Sequence, residues 1–275
     1  VTILFTRKGA DTSYDRPTGA DYQRAGINAV MRYITDPGPG NKGMTIDEVH
    51  DYGAHGVAFG LVWELGSQGV LSGRSQGIAD AKNAQANLNA LAAQRGGPSN
   101  KRPIYSAVDF DITADQLVHA EDYFAGFSSV IGVNRTGCYG SGLVIDHLAS
   151  KRLSTYGWWV KAATAWGGGH QPNPNNVHIQ QIENGVPCGS GTIDRNLMRS
   201  TGNWGQSGIV TLKSAPKPAP TPPKADPHVR YVVKSGDTLT AVAAHYRTSL
   251  HMLGVLNPDI ANLDMIYPGE SIRVR

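Results

Sequence analysis

Five carboxylates of this 275-residue chain, Asp11, Glu64, Asp109, Asp111 and Asp194, each close a short run of apolar or β-branched residues. Acidic side chains repeated at run ends are the raw material of acid–base chemistry. Asp109-Phe110-Asp111 is the tightest pair. On one strand, residues two apart point to the same face, and two carboxylates held together raise one another's pKa. A protonated carboxyl beside an ionised one is what cleavage of a glycosidic bond requires. Glu64, with its longer reach, is the alternative proton donor, or else a structural carboxylate paired with an arginine such as Arg32. Trp63, Tyr139 and Trp166 lie near the same run ends and suit either stacking on sugar faces or core packing. Trp158 and Trp159 are adjacent, so only one can face an interior.

Such a ring needs strands whose ends converge. Strand-like runs occur at 8–11, 29–34, 57–64, 104–111, 136–139, 158–163, 177–181 and 191–194. Helical patterns lie between them, near 18–26, 45–52, 75–93, 114–131 and 141–150. The 75–93 pattern is alanine-rich and stops before Gly96-Gly97. Alternation of this kind predicts parallel strands joined by crossovers. Eight strands in about 200 residues predict a compact (β/α)₈ TIM-like barrel, in class α/β, with some helices short or missing. Its chemistry would then sit where the strands end.

Composition narrows the alternatives. Charged residues are 17% and hydrophobic ones 40%, as in a folded globular chain. The net charge of +3 arises in 207–275, where eight Lys and Arg meet five Asp and Glu. That modest surplus suits an anionic surface, and no basic stripe interleaved with aromatics speaks for nucleic acid. No run of about 18 apolar residues predicts a membrane span, and Val1-Thr-Ile-Leu-Phe is too short for a signal-peptide core. Cys138 and Cys188 either pair or stay free; one of them with His147 or His178 would make a thiol peptidase or amidase. His147, His170 and His178 show no metal spacing, and no glycine-rich loop has nucleotide-binding spacing. Neither metal nor cofactor is expected, and the chain is expected to be a monomer.

Residues 213–228 read KSAPKPAPTPPKADPH, with six prolines and no large apolar side chain. Proline favours extended polyproline II, so this run predicts a semi-rigid tether with a reach of about 50 Å. The predicted division is a body at 1–208, a linker at 209–228 and a small domain at 229–275. In that last part Tyr231 and Val233, then Ile272 and Val274, alternate with polar residues as strands do. Asp237 or Thr238 can cap one helix between them and Ser249 a second, giving a βααβ unit. Leu239, Val242, Leu253, Leu256 and Ile266 would form its core.

The motifs Gly236-Asp237-Thr238-Leu239, Asn257-Pro258 and Pro268-Gly269 resemble a LysM module. That resemblance implies binding of glycans containing N-acetylglucosamine. The groove would lie between Gly236, Asp237, Thr238 and Leu239 on one side and Asn257, Pro258, Asp259 and Ile260 on the other. In the body, Gly9-Ala-Asp11-Thr-Ser, Gly137-Cys-Tyr139, Trp159-Val-Lys-Ala, Gln181-Ile-Glu-Asn-Gly185 and Gly191-Thr-Ile-Asp194 resemble strands of the family 25 lysozymes. Arg32-Tyr33 on the second strand is more similar still to a related glycoside hydrolase-like family of actinobacterial and phage proteins. The resemblance implies a muramidase-type peptidoglycan hydrolase acting on N-acetylglucosamine/N-acetylmuramic acid glycan. Asp109 would orient, Asp111 or Glu64 would protonate, and Asp11 and Asp194 would fix the sugar. It departs from the family 25 pattern at Asp111, where those lysozymes carry the acid Glu; the shorter arm admits a barrel that binds wall without cutting it. A phage-encoded enzyme released to the host wall, or a secreted wall-associated one, would fit.

Overall fold

The computed structural model describes residues 3–37, 41–64, 66, 68–95, 102–205, 229–246, 248–257, 260 and 266–274. The predicted linker, Pro258 and Asp259 lie outside the described residues. The chain divides into two units, Val1–Leu212 and Lys213–Arg275.

In the first unit eight strands close a barrel in sequence order. They are β1 (Phe5–Asp11), β2 (Ala29–Pro37), β3 (Ala58–Trp63), β4 (Ile104–Ala107), β5 (Thr136–Gly140), β6 (Tyr156–Trp159), β7 (Ile179–Cys188) and β8 (Gly191–Arg199). Five helices cross over between them: α1 (Gly19–Arg24), α2 (Ile46–Ala54), α3 (Gly73–Gln94), α4 (Leu117–Ile131) and α5 (Gly142–Ser150). Thr18 and Thr45 start α1 and α2 with capping boxes, each closed by an acidic residue three positions on, Asp21 and Glu48. The β6–β7 connection holds only short 3₁₀ turns.

Pairing is parallel from β1 to β7, but β8 is antiparallel to both neighbours. This corrects the expectation of parallel strands throughout. Only Gly189 and Ser190 separate β7 from β8, and a turn that short can only make a hairpin. The reversal brings the beginning of β8 to the end of β1, with Asp194 opposite Asp11 in register.

Alternation along the strands sorts side chains into two cores. Outward residues such as Val30, Leu61, Trp63, Ile104 and Cys138 pack under the helices with Tyr123, Phe124 and Phe127. Inward residues, among them Met31, Val62, Tyr105, Trp158, Ile179 and Met198, fill the lumen. Trp204, beyond β8, completes that lumen and accepts a bond from the Tyr105 hydroxyl at its carbonyl (2.7 Å). Helices α3 and α4 cross at Gly77 and Gly126, where a side chain would collide with the backbone of the opposite helix.

The second unit pairs β9 (Arg230–Val232) antiparallel with β10 (Ser271–Arg273), with α6 (Leu239–His245) and α7 (Leu250–Leu256) between them. Thr238 and Ser249 cap the helices through their hydroxyls. Val233, Leu239, Val242, Leu253, Ile272 and Val274 are buried together, with Ile266 partly buried against them. Leu256 is only half-buried. Among the described residues no helix is long and apolar enough to cross a membrane.

Candidate active site

Where β1, β3 and β4 end and β8 begins, a cavity of about 590 Å³ opens at the barrel mouth. Asp11, Glu64, Asp109 and Asp194 all line it, with Tyr14, Tyr33, Tyr139, Trp158, Trp166 and Gln181 among its walls. Asp11 is the last residue of β1, and Glu64 directly follows β3. Four of the five predicted carboxylates therefore converge.

Asp111 does not join them. Strand β4 stops at Ala107, four residues short of expectation. Val108 and Ile112 are both fully buried in the core under the helices, so the segment between them leaves the sheet and turns towards the Thr113 cap of the next helical turn. Asp109 stays on the inward side of this arch. Asp111 is exposed and its carboxylate accepts the Gly167 N–H at 2.6 Å.

Each carboxylate in the cavity has its own surroundings. Asp11 is buried, which drives its pKa well above the ordinary carboxylate range; the charge of Asp194 adds to the rise, and the Asn196 amide, donating at 2.6 Å, opposes it. Asn196 is held in turn by the indole N–H of Trp158 (2.8 Å). Asp109 is also raised, first by burial and then by the charge of Glu64, against the pull of Lys42. Glu64 pairs with Lys42 at 3.1 Å, not with Arg32. Asp194 accepts from Gln181 Nε2 and from the Gly185 N–H, both at 2.8 Å. The Tyr139 hydroxyl donates to the other end of that amide, Gln181 Oε1, at 2.7 Å.

Arg32 lies behind this site rather than in it. It is fully buried, bonds Glu48 through Nε (3.0 Å), and donates to the carbonyls of Thr12, Ser13 (3.0 Å) and Lys42 (3.3 Å). One guanidinium thus fastens the loop after β1 and the loop after β2, whose lysine reaches Glu64. Arg16 shares Glu48 from the other side.

Of the predicted aromatics, Tyr139 and Trp166 line the cavity. Trp63 does not: it is the last outward residue of β3, 3% exposed, and belongs to the core under the helices. Trp158 faces the cavity while Trp159 packs outside, as adjacency on one strand requires. From sequence, Tyr33 and Gln181 stand out only within family-like motifs and Trp158 only as one of an adjacent pair, none as a site residue, and Lys42 does not stand out. Inward alternation from Asp11 and Met31 could have found Tyr33; Lys42 sits in a loop, where no periodicity applies.

Cys138 and Cys188 are both free and buried, so they do not pair. Burial pushes both thiols up, away from the thiolate a nucleophile needs. The candidate histidines are engaged elsewhere: His147 with Glu121 (3.0 Å), and His178 beside Gly157, its pKa pushed down by burial to about 4. Among the described residues no cluster of His, Cys, Asp or Glu could hold a metal ion.

In the second unit, several residues of the predicted groove serve the fold. Asp237 accepts the Tyr231 hydroxyl (2.6 Å) and the Lys234 N–H (2.7 Å). Leu239 is buried, Ile260 packs on the same core, and Thr238 caps α6. Asn257 is buried, donates to the carbonyls of Leu253 and Arg273 (2.8 Å each), and accepts the Arg273 N–H (2.7 Å). Exposed backbone at Gly236 remains open to a ligand.

Comparison with known proteins agrees with this architecture. Residues 20–198 match the family model described as Rv2525c-like, glycoside hydrolase-like domain, and residues 231–275 match the LysM domain. The chain is 27% identical over 168 residues to Rv2525c of Mycobacterium tuberculosis, an alignment covering 58% of this chain and 66% of that protein's length. The crystal structure of that Tat-secreted protein in complex with HEPES superposes with a TM-score of 0.61 at 25% identity, covering 72% of this chain and 98% of the other. A 47-residue stretch is 40% identical to an endolysin of Bacillus phage B103, over 17% of this chain and 18% of that one. The chain therefore belongs to the Rv2525c-like glycoside hydrolase-like domain family and carries a LysM domain after its barrel.

Proposed function

We propose that this protein is a peptidoglycan hydrolase that cleaves the glycan strand between N-acetylmuramic acid and N-acetylglucosamine, held at the wall by its LysM domain. The observation that carries it is the convergence of Asp11, Glu64, Asp109 and Asp194 with Tyr33, Tyr139 and Trp166 in one cavity at the barrel mouth. Asp109 is the general acid. Burial and the charge of Glu64 keep it protonated to a higher pH than a free aspartate, so it can donate to the leaving glycosidic oxygen. Glu64 supplies negative charge to the oxocarbenium-like centre that forms as the bond breaks; water then adds to that carbon and gives up a proton to Asp109, which restores the acid. Asp194, fixed by Gln181 and Gly185, and Asp11 hold the sugar hydroxyls. Rv2525c, one of the matched relatives, is described as a proposed peptidoglycan hydrolase, which supports this reading. The proline-rich residues 209–228 are a tether that raises the concentration of the barrel at the wall. Release from a phage-infected cell or secretion would each bring the protein there.

The test is analysis of new reducing ends after digestion of purified walls, with borohydride reduction to identify the terminal sugar. New muramic acid ends support the reading, and new glucosamine ends would move the cleavage to the other bond. A second reading has its own support: the position where family 25 lysozymes place their acid is here Asp111, outside the cavity. A parent protein that binds walls of several kinds yet releases no reducing ends would make the barrel a binding module.

A further inference from the structure

Asp111 is a carboxylate without a place in the cavity, but it touches the segment that builds one wall. That segment runs from β6 to β7 and contains Trp166, which lines the cavity together with Val160 and Ala163. Three consecutive glycines follow: Gly167, Gly168 and Gly169, with φ of 64°, 64° and 73°. Left-handed backbone at three successive residues is accessible to glycine at little cost, but glycine also leaves the segment with the largest entropy to lose on ordering. Something must hold it. Its far end is tied by Asp146 on α5, which bonds His170 Nε2 (2.9 Å), the Asn173 N–H (3.0 and 3.1 Å) and Asn176 Nδ2 (2.8 Å). Next to Trp166 the tie is Asp111, whose Oδ1 accepts the Gly167 N–H at 2.6 Å. A short bond from a backbone N–H to a carboxylate is among the stronger kinds. Gly167 itself sits against Ser141 and Leu143 at the start of α5, where an added Cβ would lie 2.7 Å from Leu143 Cβ.

We infer that Asp111 is a positioning residue: through Gly167 it fixes Trp166 as the stacking wall for a sugar ring of the glycan, and so sets affinity for the saccharide rather than the rate of bond cleavage. The inference rests on the glycosidase reading for its kinetic arm and on the loop geometry alone for its structural arm. An acid at 111 and an anchor at 111 predict opposite behaviour on one substitution. Asparagine cannot protonate a leaving group, but its amide oxygen still accepts an N–H bond.

The experiment uses the full chain, with reducing-end release from soluble glycan fragments as the kinetic readout. Asp111→Asn should keep kcat within about twofold, whereas loss of an acid costs about 100-fold or more. Asp111→Ala should raise KM roughly three- to tenfold, the range of one aromatic contact, with kcat little changed. Trp166→Ala should raise KM at least as much, and the double variant should add nothing further, because both changes remove the same wall. A large kcat loss in Asp111→Asn, or additive effects in the double variant, would overturn the inference. Hydrogen exchange without substrate supplies the second arm. Amides of 164–170 should exchange several-fold faster in Asp111→Ala and near parental rates in Asp111→Asn; unchanged exchange in Asp111→Ala would also overturn it. If the parent releases no reducing ends, the glycosidase reading fails while the exchange result still decides the role of Asp111.

Discussion

From the loop after β2, Lys42 places its ammonium 3.1 Å from Oε2 of Glu64, a cavity-lining carboxylate, while its carbonyl accepts from the buried guanidinium of Arg32 (3.3 Å). The same ammonium lies 4.6 Å from the centre of the Tyr33 ring. Lys42 therefore offsets the charge of Glu64 and Asp109 at the mouth, and its backbone is tied to the support beneath them.

Removing that charge should move the pH profile. Lys42 opposes the rise in the Asp109 pKa, so Lys42→Met raises it further. The acid must be protonated to act, and rate falls as pH climbs through its pKa. The alkaline limb of kcat against pH should shift upward in Lys42→Met; a downward shift would mean that Asp109 is not the acid.

Asp109→Asn should lower kcat at least about 100-fold, the smaller end of what general acids contribute, with wall binding through the LysM domain retained. Parental turnover in this variant would remove Asp109 from the mechanism.

Asp11 offers a test in stability rather than rate. Its folded pKa is raised, chiefly by burial, so between the unfolded and folded values the native state binds more protons than the unfolded chain. Stability contributed by this group is present at low pH and is lost as pH rises through the folded pKa. Asp11→Asn should therefore melt higher than the parent at pH 7, and the difference should vanish once both states are protonated in acid. Thermal melts at neutral and acidic pH check this; a variant that melts lower at pH 7 would contradict the burial argument. Gains in stability at the expense of activity are the usual outcome at such sites.

Arg32→Met leaves Glu48 and the carbonyls of Thr12, Ser13 and Lys42 without their buried partner. Breaking a buried pair from one side costs about 3–5 kcal/mol, readable as a lower urea midpoint. Arg16, which also bonds Glu48, should keep the loss near the lower figure.

Asn257→Ala in the LysM unit should act on folding. It removes the side-chain bonds to the Arg273 N–H and to the carbonyls of Arg273 and Leu253, while the Leu253 carbonyl keeps the Asn257 backbone N–H, and losing a buried polar partner costs about 1–3 kcal/mol. Glycan binding should fall in step with the unfolded fraction of this unit, measured by calorimetry beside a pull-down on walls. Loss of binding with an unchanged melt would make Asn257 a contact residue instead.

Much of this protein is local, and local features are legible in sequence. Strand and helix alternation, the caps at Thr238 and Ser249, and the run-end carboxylates Asp11, Glu64 and Asp109 all follow from short-range pattern, because each depends on residues within one or two turns of chain. Motif spacing did the same for the LysM domain. What tertiary structure alone decided was direction and partnership. Whether Asp111 looked into the barrel depended on where β4 ended, and that was set by the burial of Val108 and Ile112 against α4 and its neighbours. Whether Trp63 met sugar or core depended on which face of β3 lay under the helices. Lys42 found Glu64, and Asp111 found Gly167, across 22 and 56 residues of chain. Contacts over such distances leave no periodic trace, since nothing in the intervening sequence must repeat for two ends of a folded barrel to meet.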